Sequence, residues 1–167
     1  MPNPKTSVAS QKTDVRELAL SVFAANGRLI ATGNELVGPL GLTSAWWQVL
    51  AALRYSPVPL PTASIARNMG LTRQAVQRIV DLLAERGMVE FRDNPHHRRA
   101  KLVVLTEAGI AAVTGAEQAA AALDAEIADR IGTARIQEAV RTLDAMNTIL
   151  AEWLESAAAA SDPKPNS

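Results

Sequence analysis

The segment from residue 61 to residue 105 constrains the fold more than any other part of this 167-residue chain. Its pattern predicts a helix, a tight turn, a second helix and then a β-hairpin. Gly70 marks the turn, because a helix often ends in a residue with positive φ, which favours glycine. Thr72 follows as the predicted cap of the second helix. Two helices joined by so short a turn are typical of a helix-turn-helix.

The second helix of this segment has opposite polar and apolar arcs at 100° per residue. The apolar arc predicts a buried face and consists of Val76, Ile79, Val80 and Leu83. The polar arc consists of Arg73, Gln74, Gln77 and Arg78. Arginine can bond guanine and glutamine can bond adenine in the DNA major groove. We therefore predict a DNA-reading helix, although any exposed helix carries polar residues.

A basic hairpin follows this helix. Residues 88–92 and 101–105 are rich in β-branched side chains and predict two strands. Near their loop lie Arg98, Arg99 and Lys101. A guanidinium group is favoured in the narrower groove of DNA by its negative potential. The hairpin is therefore predicted to contact DNA, and the alternative is a solvated charged turn.

The two histidines of the chain, His96 and His97, are adjacent in that loop. They could serve as metal ligands or as a pH-sensitive contact. Two neighbouring histidines lack the spacing of a closed metal site. We therefore predict no metal site and favour contact with phosphate or solvent.

Charge is unevenly distributed, although the net charge is zero. Residues 54–101 carry nine basic and four acidic groups, whereas residues 102–157 carry three basic and nine acidic groups. A basic middle segment indicates a surface for a polyanion, and chance clustering of surface charge is the alternative. The absence of cysteine excludes disulfides and thiolate ligands.

Other patterns argue against membrane and catalytic roles. No apolar run approaches the 18 or so residues of a membrane span, and the N-terminus lacks the apolar stretch of a signal peptide. A cytoplasmic location is therefore expected. An enzyme would need a nucleophile and a base, or paired acids, in a cleft. The absence of cysteine and the position of both histidines in one loop argue against that alternative. We expect neither an enzyme nor a cofactor.

The flanking segments predict long helices with broad apolar stripes. A helix from about residue 14 to residue 36 and two helices after residue 106 would have faces too wide for short neighbours to cover. Pairing with a second copy of the chain would bury them, and an internal monomeric bundle is the alternative. The predicted dimer contacts are Leu18, Val22, Leu29, Leu143, Leu150 and Trp153.

The predicted fold is mainly α with a small β-hairpin wing. A winged helix-turn-helix DNA-binding lobe spans residues 40–106, and a helical dimerisation region comprises residues 13–39 and 107–157. Residues 1–12 and 158–167 are predicted to be disordered, because they are polar or rich in proline.

Four segments resemble the MarR family of bacterial winged-helix regulators: residues 42–50, 65–78, 82–89 and 98–106. The resemblance implies a homodimer that binds a palindromic operator in double-stranded DNA. It further implies a repressor that a small aromatic or phenolic ligand releases. Thr72, Arg73, Gln74, Gln77 and Arg78 would contact DNA, together with Arg98 and Lys101, and Arg99 matches the arginine at the tip of the wing.

One position departs from the family pattern. The family commonly has an acidic residue two positions before the wing-tip arginine, where it orients the guanidinium group. Here that position is His97, and Asp93 is a candidate substitute. A winged-helix protein-interaction module without specific DNA binding is therefore the alternative function.

A small-molecule effector would need a pocket lined by apolar and aromatic groups. Trp46, Trp47 and Tyr55 are candidates for such a pocket between the dimerisation helices and the DNA-binding lobe. The alternative is that these aromatic side chains belong to the core.

Overall fold

The computed structural model describes the backbone of residues 4–95, 97 and 99–161, and within these ranges the side chains of residues 13–160. The fold is mainly helical with one small antiparallel sheet, as the sequence predicts. The chain divides at residue 120 into two compact units.

The helices of the described ranges are α1 (Pro4–Val37), α2 (Ser44–Arg54), α3 (Thr62–Asn68), α4 (Arg73–Glu85), α5 (Glu107–Ile131) and α6 (Thr133–Ser161). A single 3-10 turn, Gly38–Leu40, links α1 to α2. The strands are β1 (Leu60–Pro61), β2 (Val89–Arg92) and β3 (Leu102–Leu105).

The two terminal helices are longer than predicted. Residues 4–12 were expected to be disordered, but α1 begins at Pro4. Proline suits the first turn of a helix, where its missing N–H removes no bond, and each further residue adds one bond to an existing helix. Helix α6 continues through residues 158–161, also expected to be disordered, because residues 157–160 are alanines, the best helix formers. Residues 1–3 and 162–167 lie outside the described residues.

The core of the first unit lies between α2, α3, α4 and the sheet. Its largest fully buried side chains are Leu50, Ile65, Leu83, Val37, Val49, Val76, Val80, Val103 and Val113. Three of them, Val76, Val80 and Leu83, come from the apolar arc of α4. Their burial confirms the predicted buried face and turns the opposite arc of α4 outward.

Helix α2 is fixed to α1 at its first turn. Thr43 Oγ1 accepts the N–H of Trp46 at 3.2 Å and so caps α2. Asn34 of α1 accepts the N–H of Ser44 at 2.8 Å. A Cβ atom at Gly33 would lie 2.8 Å from Ser44 Oγ, so a larger residue there would require the Ser44 side chain to move. The contacts join α1 to the lobe that carries α4.

The sheet has the order β1-β3-β2, with antiparallel pairing throughout. Strand β1 was not predicted. Pro61 pairs with Leu102 and also stands at the N-cap position of α3. A two-residue strand has no alternating pattern to read, and proline is tolerated at a sheet edge. Strand β1 pairs with β3 on the edge opposite β2 and so supports the wing formed by β2 and β3.

Helix α1 has an apolar stripe that is fully buried only near the C-terminal end of the helix. Gly33 and Val37 are buried, whereas Val15 and Phe23, on the same side of the helix at 100° per residue, are exposed. Leu29 is 66% exposed, and Leu18 and Val22 are half-buried. An apolar stripe of this length on the surface is typical of an interaction face.

Helix α6 has a comparable stripe in the second unit. Leu143 is half-buried, Leu150 is exposed and Trp153 is 67% exposed. Val140 and Leu154, which are also exposed, widen the same face. This surface meets the same criterion for an interaction face.

Between residues 13 and 160, no single helix has the length and hydropathy of a membrane span. The segment 13–40 taken together with α2 does satisfy those two criteria, with a bend of 87° between its parts.

Candidate nucleic-acid interface

The turn between α3 and α4 is set by backbone bonds and one side-chain cap. Gly70 has φ of +64°, the left-handed conformation predicted for it. The N–H of Leu71 donates to Ala66 O at 2.9 Å. Thr72 Oγ1 accepts the N–H of Ala75 at 3.2 Å and so caps α4. Both predictions for this turn, the glycine and the cap, are confirmed.

The outward arc of α4 carries the predicted DNA-reading side chains. Arg73, Gln74 and Arg78 are exposed, and Gln77 is half-buried. The Nε2 of Gln77 donates to Asp81 Oδ1 at 2.8 Å, one turn further along the helix. Thr72 is exposed; its hydroxyl accepts the cap bond and keeps its own O–H as a donor, so its predicted DNA contact stays a prediction.

The wing is a short hairpin with a compact turn in its loop. Phe91 pairs with Val103 across β2 and β3. In the loop, the N–H of His97 donates to Asn94 O at 3.2 Å, and that of Ala100 to His97 O at 3.0 Å. Arg99 lies within the second of these turns and is exposed. His96 and Arg98 lie outside the described residues.

A groove of about 800 Å³ lies between α3, α4 and the wing. Its lining consists of Pro61, Thr62, Ala63, Ser64, Arg67, Arg73, Gln77, Phe91, His97, Arg99, Ala100 and Lys101. Four of these residues are arginine or lysine, and none of the described lining residues is acidic. A cleft lined by one sign of charge focuses the field and attracts ions of the opposite sign. The groove is hereafter called the basic groove.

The basic groove brings together some of the predicted DNA contacts and leaves others outside it. Arg73 and Gln77 from α4 meet Arg99 and Lys101 from the wing. Gln74 and Arg78 do not line the groove. At 100° per residue they lie on the far side of the polar arc, which also faces outward.

Arg67 of α3 is a groove residue that was not predicted as a contact. Its Nη2 donates to Ser64 Oγ at 3.3 Å, and both residues line the groove. On the wheel of α3, Arg67 lies 160° from the buried Ile65. Helical periodicity is enough to predict that Arg67 is exposed. Its position beside the wing depends on the packing of α3 against β1, which periodicity does not predict.

The predicted orienting partner of Arg99 is not observed. Among the described residues, Asp93 and Arg99 form no ion pair with each other. An ion pair on β2 joins Arg92 to Glu90 at 2.6 Å. His97 stands at the position that is commonly acidic in the family, and it lines the basic groove.

The three aromatic residues proposed for a ligand pocket have different surroundings. Trp46 is half-buried and lies under the guanidinium of Arg86, 4.4 Å from the ring centre. Trp47 packs against the core. Tyr55 is 72% exposed. They line neither the basic groove nor a second groove of about 270 Å³ at the end of α2, so their ligand pocket stays a prediction.

Tyr55 connects the end of α2 to α5. Its hydroxyl donates to Glu117 Oε1. This hydrogen bond to the carboxylate, helped by local desolvation and by the negative charge of Glu117, raises the pKa of Tyr55 above its usual value of 10.0. Arg54 opposes the shift. The bond is a polar contact between the DNA-binding lobe and α5 that sequence reading did not predict.

The described part of the chain contains no cluster of metal ligands. Among these residues, no group of three or more histidine, cysteine, aspartate or glutamate side chains could hold a metal ion.

These elements define a winged helix-turn-helix: an α3-turn-α4 unit followed by a β-hairpin that shares a groove with the second helix. The sequence model of the MarR family matches residues 40–100 of this chain. An uncharacterised protein of Mycobacterium tuberculosis is 34% identical over 124 residues, which cover 74% of this chain and 85% of that protein. The chain belongs to the MarR family of winged-helix transcription regulators. Members of this family are DNA-binding proteins without enzymatic activity.

Three further comparisons show what this chain is similar to. The multiple antibiotic resistance protein MarR of Escherichia coli is 33% identical over 78 residues, 47% of this chain and 54% of that protein. CouR of Rhodococcus jostii RHA1, solved with p-coumaroyl-CoA, has a TM-score of 0.69 at 24% identity, over 78% of this chain and 91% of that chain. CouR bound to a 23-mer DNA duplex has a TM-score of 0.66. At such identity the likeness to CouR concerns the fold alone.

Proposed function

We propose that this protein is a homodimeric, sequence-specific regulator that represses at a palindromic operator and is released by a small ligand. The observation that carries the proposal is the basic groove, in which the polar arc of α4 and the wing present their cations side by side. DNA is the polyanion that a helix and a neighbouring hairpin can engage together.

Helix α4 is the proposed major-groove reader. The major groove is about 12 Å wide and admits one helix, and the N-terminal half of a recognition helix contacts the base edges. Arg73 and Gln77 lie in that half and face the wing, and Arg73 would read guanine while Gln77 would read adenine. Gln74 and Arg78, on the outer side of the same arc, would contact the next bases or the phosphates.

The wing and α3 are proposed to hold the backbone. Arg99 at the wing tip would enter the minor groove, where a guanidinium is favoured, and Arg98 and Lys101 would contact phosphates beside it. Arg67 is added to these as a phosphate contact, because it is exposed and lines the same groove. Phosphate contacts position a protein on DNA, whereas base contacts specify the sequence.

The apolar faces of α1 and α6 support the homodimer. Burying Leu29 or Trp153, each about two-thirds exposed in the single chain, would contribute about 1.5–3 kcal/mol per side chain. A two-fold dimer places two recognition helices about 34 Å apart, one turn of DNA, and so requires a palindromic site.

The ligand is the finer part of the proposal. CouR, which shares the fold, was solved with an aromatic acyl thioester, p-coumaroyl-CoA. We propose an aromatic or phenolic ligand for this chain as well, with Trp46, Trp47 and Tyr55 as candidate contacts. Tyr55 is well placed for a regulatory role, because its bond to Glu117 joins the DNA-binding lobe to α5.

Selection of binding sites from random duplex DNA would test the proposal. We expect a two-fold symmetric site whose half-sites are one helical turn apart. We also expect the logarithm of the binding constant to fall steeply with the logarithm of salt concentration, with a slope of about −0.9 per phosphate neutralised. Binding that is weak and indifferent to sequence would contradict the proposal and favour a winged-helix protein-interaction module.

A further inference from the structure

The DNA-facing arc of α4 contains an acidic side chain, Asp81. At 100° per residue it lies at 80° from Arg73, between Gln77 and Gln74. Its Oδ1 accepts a hydrogen bond from Gln77 Nε2 at 2.8 Å. Gln77 lines the basic groove, so the carboxylate contacts a side chain that faces the proposed DNA site.

This hydrogen bond fixes the orientation of the Gln77 side-chain amide. An ionised carboxylate only accepts hydrogen bonds, so the amide nitrogen must face Asp81 and the amide oxygen must point away from it. One N–H remains beside that oxygen. A donor and an acceptor side by side are what glutamine presents to adenine in the major groove. A glutamine without such a partner can turn its amide over and exchange the two groups.

We propose that Asp81 is a positioning residue that holds the Gln77 amide in one orientation and so makes Gln77 selective for adenine. The inference rests on the proposed function and identifies how one base pair of its site is chosen. A carboxylate facing DNA also repels every phosphate backbone. Asp81 therefore lowers affinity for all sequences while raising the difference between one sequence and another, which is how specificity is built.

The test compares Asp81→Ala with Glu85→Ala on the site selected by the wild-type protein. Glu85 is the matched control because it is exposed on the same arc, at 120° from Arg73, and carries the same charge. Among the described residues it forms no hydrogen bond with Gln77. Binding would be measured to the selected site, to the three alternatives at each of its base pairs, and to a scrambled duplex.

Both variants should bind the scrambled duplex more tightly, because each removes a negative charge. Asp81→Ala alone should lower the preference for adenine at one base pair of each half-site, by roughly 2- to 12-fold, the ordering cost of one long side chain. In a Gln77→Ala background, Asp81→Ala should leave the base preferences unchanged. Thermal unfolding of each variant would establish that it is folded.

Three results would overturn the inference. If Asp81→Ala has the same base preferences as Glu85→Ala, Asp81 takes no part in base reading. An equal loss of preference at every base pair would indicate a general disturbance of α4. An effect of Asp81→Ala that persists in the Gln77→Ala background would show that it acts elsewhere. If the wild-type protein itself selects no sequence, the proposed function fails, and the inference fails with it.

Discussion

Gly109 of α5 lies against the backbone of Met88, so closely that a Cβ atom on the glycine would stand 2.0 Å from the Met88 carbonyl oxygen. The hydroxyl of Thr106 reinforces this junction: it donates to Gly87 O at 2.6 Å and accepts the N–H of Gly109 at 3.1 Å. The first turn of α5 is therefore fixed to the turn that joins α4 to β2. A displacement of this end of α5 would reach the recognition helix directly.

Gly109→Ala should destabilise the protein and weaken DNA binding. The added methyl group meets a backbone atom that cannot rotate away, so α5 must shift, at a cost of at least about 1–3 kcal/mol. The free energy of unfolding would be measured in urea. Gly115→Ala in the same helix is the control, because its Cβ would lie 3.7 Å from Leu40 Cδ1, an ordinary contact. There alanine should stabilise the helix by about 0.5–1 kcal/mol, and equal effects at both positions would contradict the packing described.

Local features of this fold were readable from the sequence. Thr72 was predicted as a cap and accepts the expected N–H group, because a cap depends on residues three positions apart. The buried arc of α4 follows from helical periodicity alone. The basic residues of the wing and α4 were placed in one interface, since the two elements are consecutive in the chain.

Features that depend on distant contacts were missed. Strand β1 exists because Leu60 and Pro61 pair with β3, some 40 residues later, and two residues carry no pattern of their own. The position of Arg67 beside the wing and the bond between Tyr55 and Glu117 depend on packing between separate elements. The bond between Gln77 and Asp81 has the i, i+4 spacing of a helix and was within reach of sequence reading.

The ionisation of Tyr55 should report its bond to Glu117. Tyr55 is the one tyrosine of the chain, so tyrosinate absorbance measures it alone. The bond holds the proton and raises the pKa of Tyr55 above 10.0. Glu117→Gln should move the pKa of Tyr55 back toward 10.0, because the amide carries no negative charge. Glu107→Gln, in the first turn of the same helix, should leave it unchanged, and an equal shift in both variants would assign the effect to general charge.

The hydrogen bond between Tyr55 and Glu117 determines the direction in which the free energy of unfolding changes with pH. Because the pKa of Tyr55 is higher in the folded state than in the unfolded chain, its contribution is fully present below pH 10 and is lost as the pH rises through the folded pKa. Tyr55→Phe should therefore be less stable than the wild type at pH 8, and the difference should shrink as the pH passes above 10. A difference that stays constant with pH would contradict this account.

The apolar stripe of α1 should support self-association. Leu29→Glu should shift the protein toward monomer in sedimentation, because a charge would be buried in the proposed dimer at a cost of several kcal/mol. Leu20→Glu is the matched control: Leu20 is 67% exposed and Leu29 is 66% exposed. At 100° per residue, however, Leu20 lies 140° from Val15, outside the stripe. Monomers from both variants, or from neither, would argue against this face.

Arg73→Ala tests base reading by α4. If Arg73 bonds guanine, its loss should relax specificity at one base pair of each half-site, by about 1–3 kcal/mol. Binding to single-base variants of the selected site would measure this. A uniform loss of affinity across all of those variants would make Arg73 a phosphate contact instead.

Arg99→Ala tests the wing. Arg99 is exposed in the basic groove beside Lys101, and among the described residues it has no ion pair with Asp93. Its cation is therefore available to DNA. Its loss should weaken binding and flatten the salt slope by about 0.9 per half-site, or about 1.8 for the proposed dimer, because one phosphate at each half-site is no longer neutralised. Arg141→Ala is the control, because that side chain is paired with Glu138 on α6. A salt slope that is the same in the wild type and in Arg99→Ala would remove the wing from the interface, and the remaining cations of the groove, Arg67, Arg73 and Lys101, would then have to account for binding.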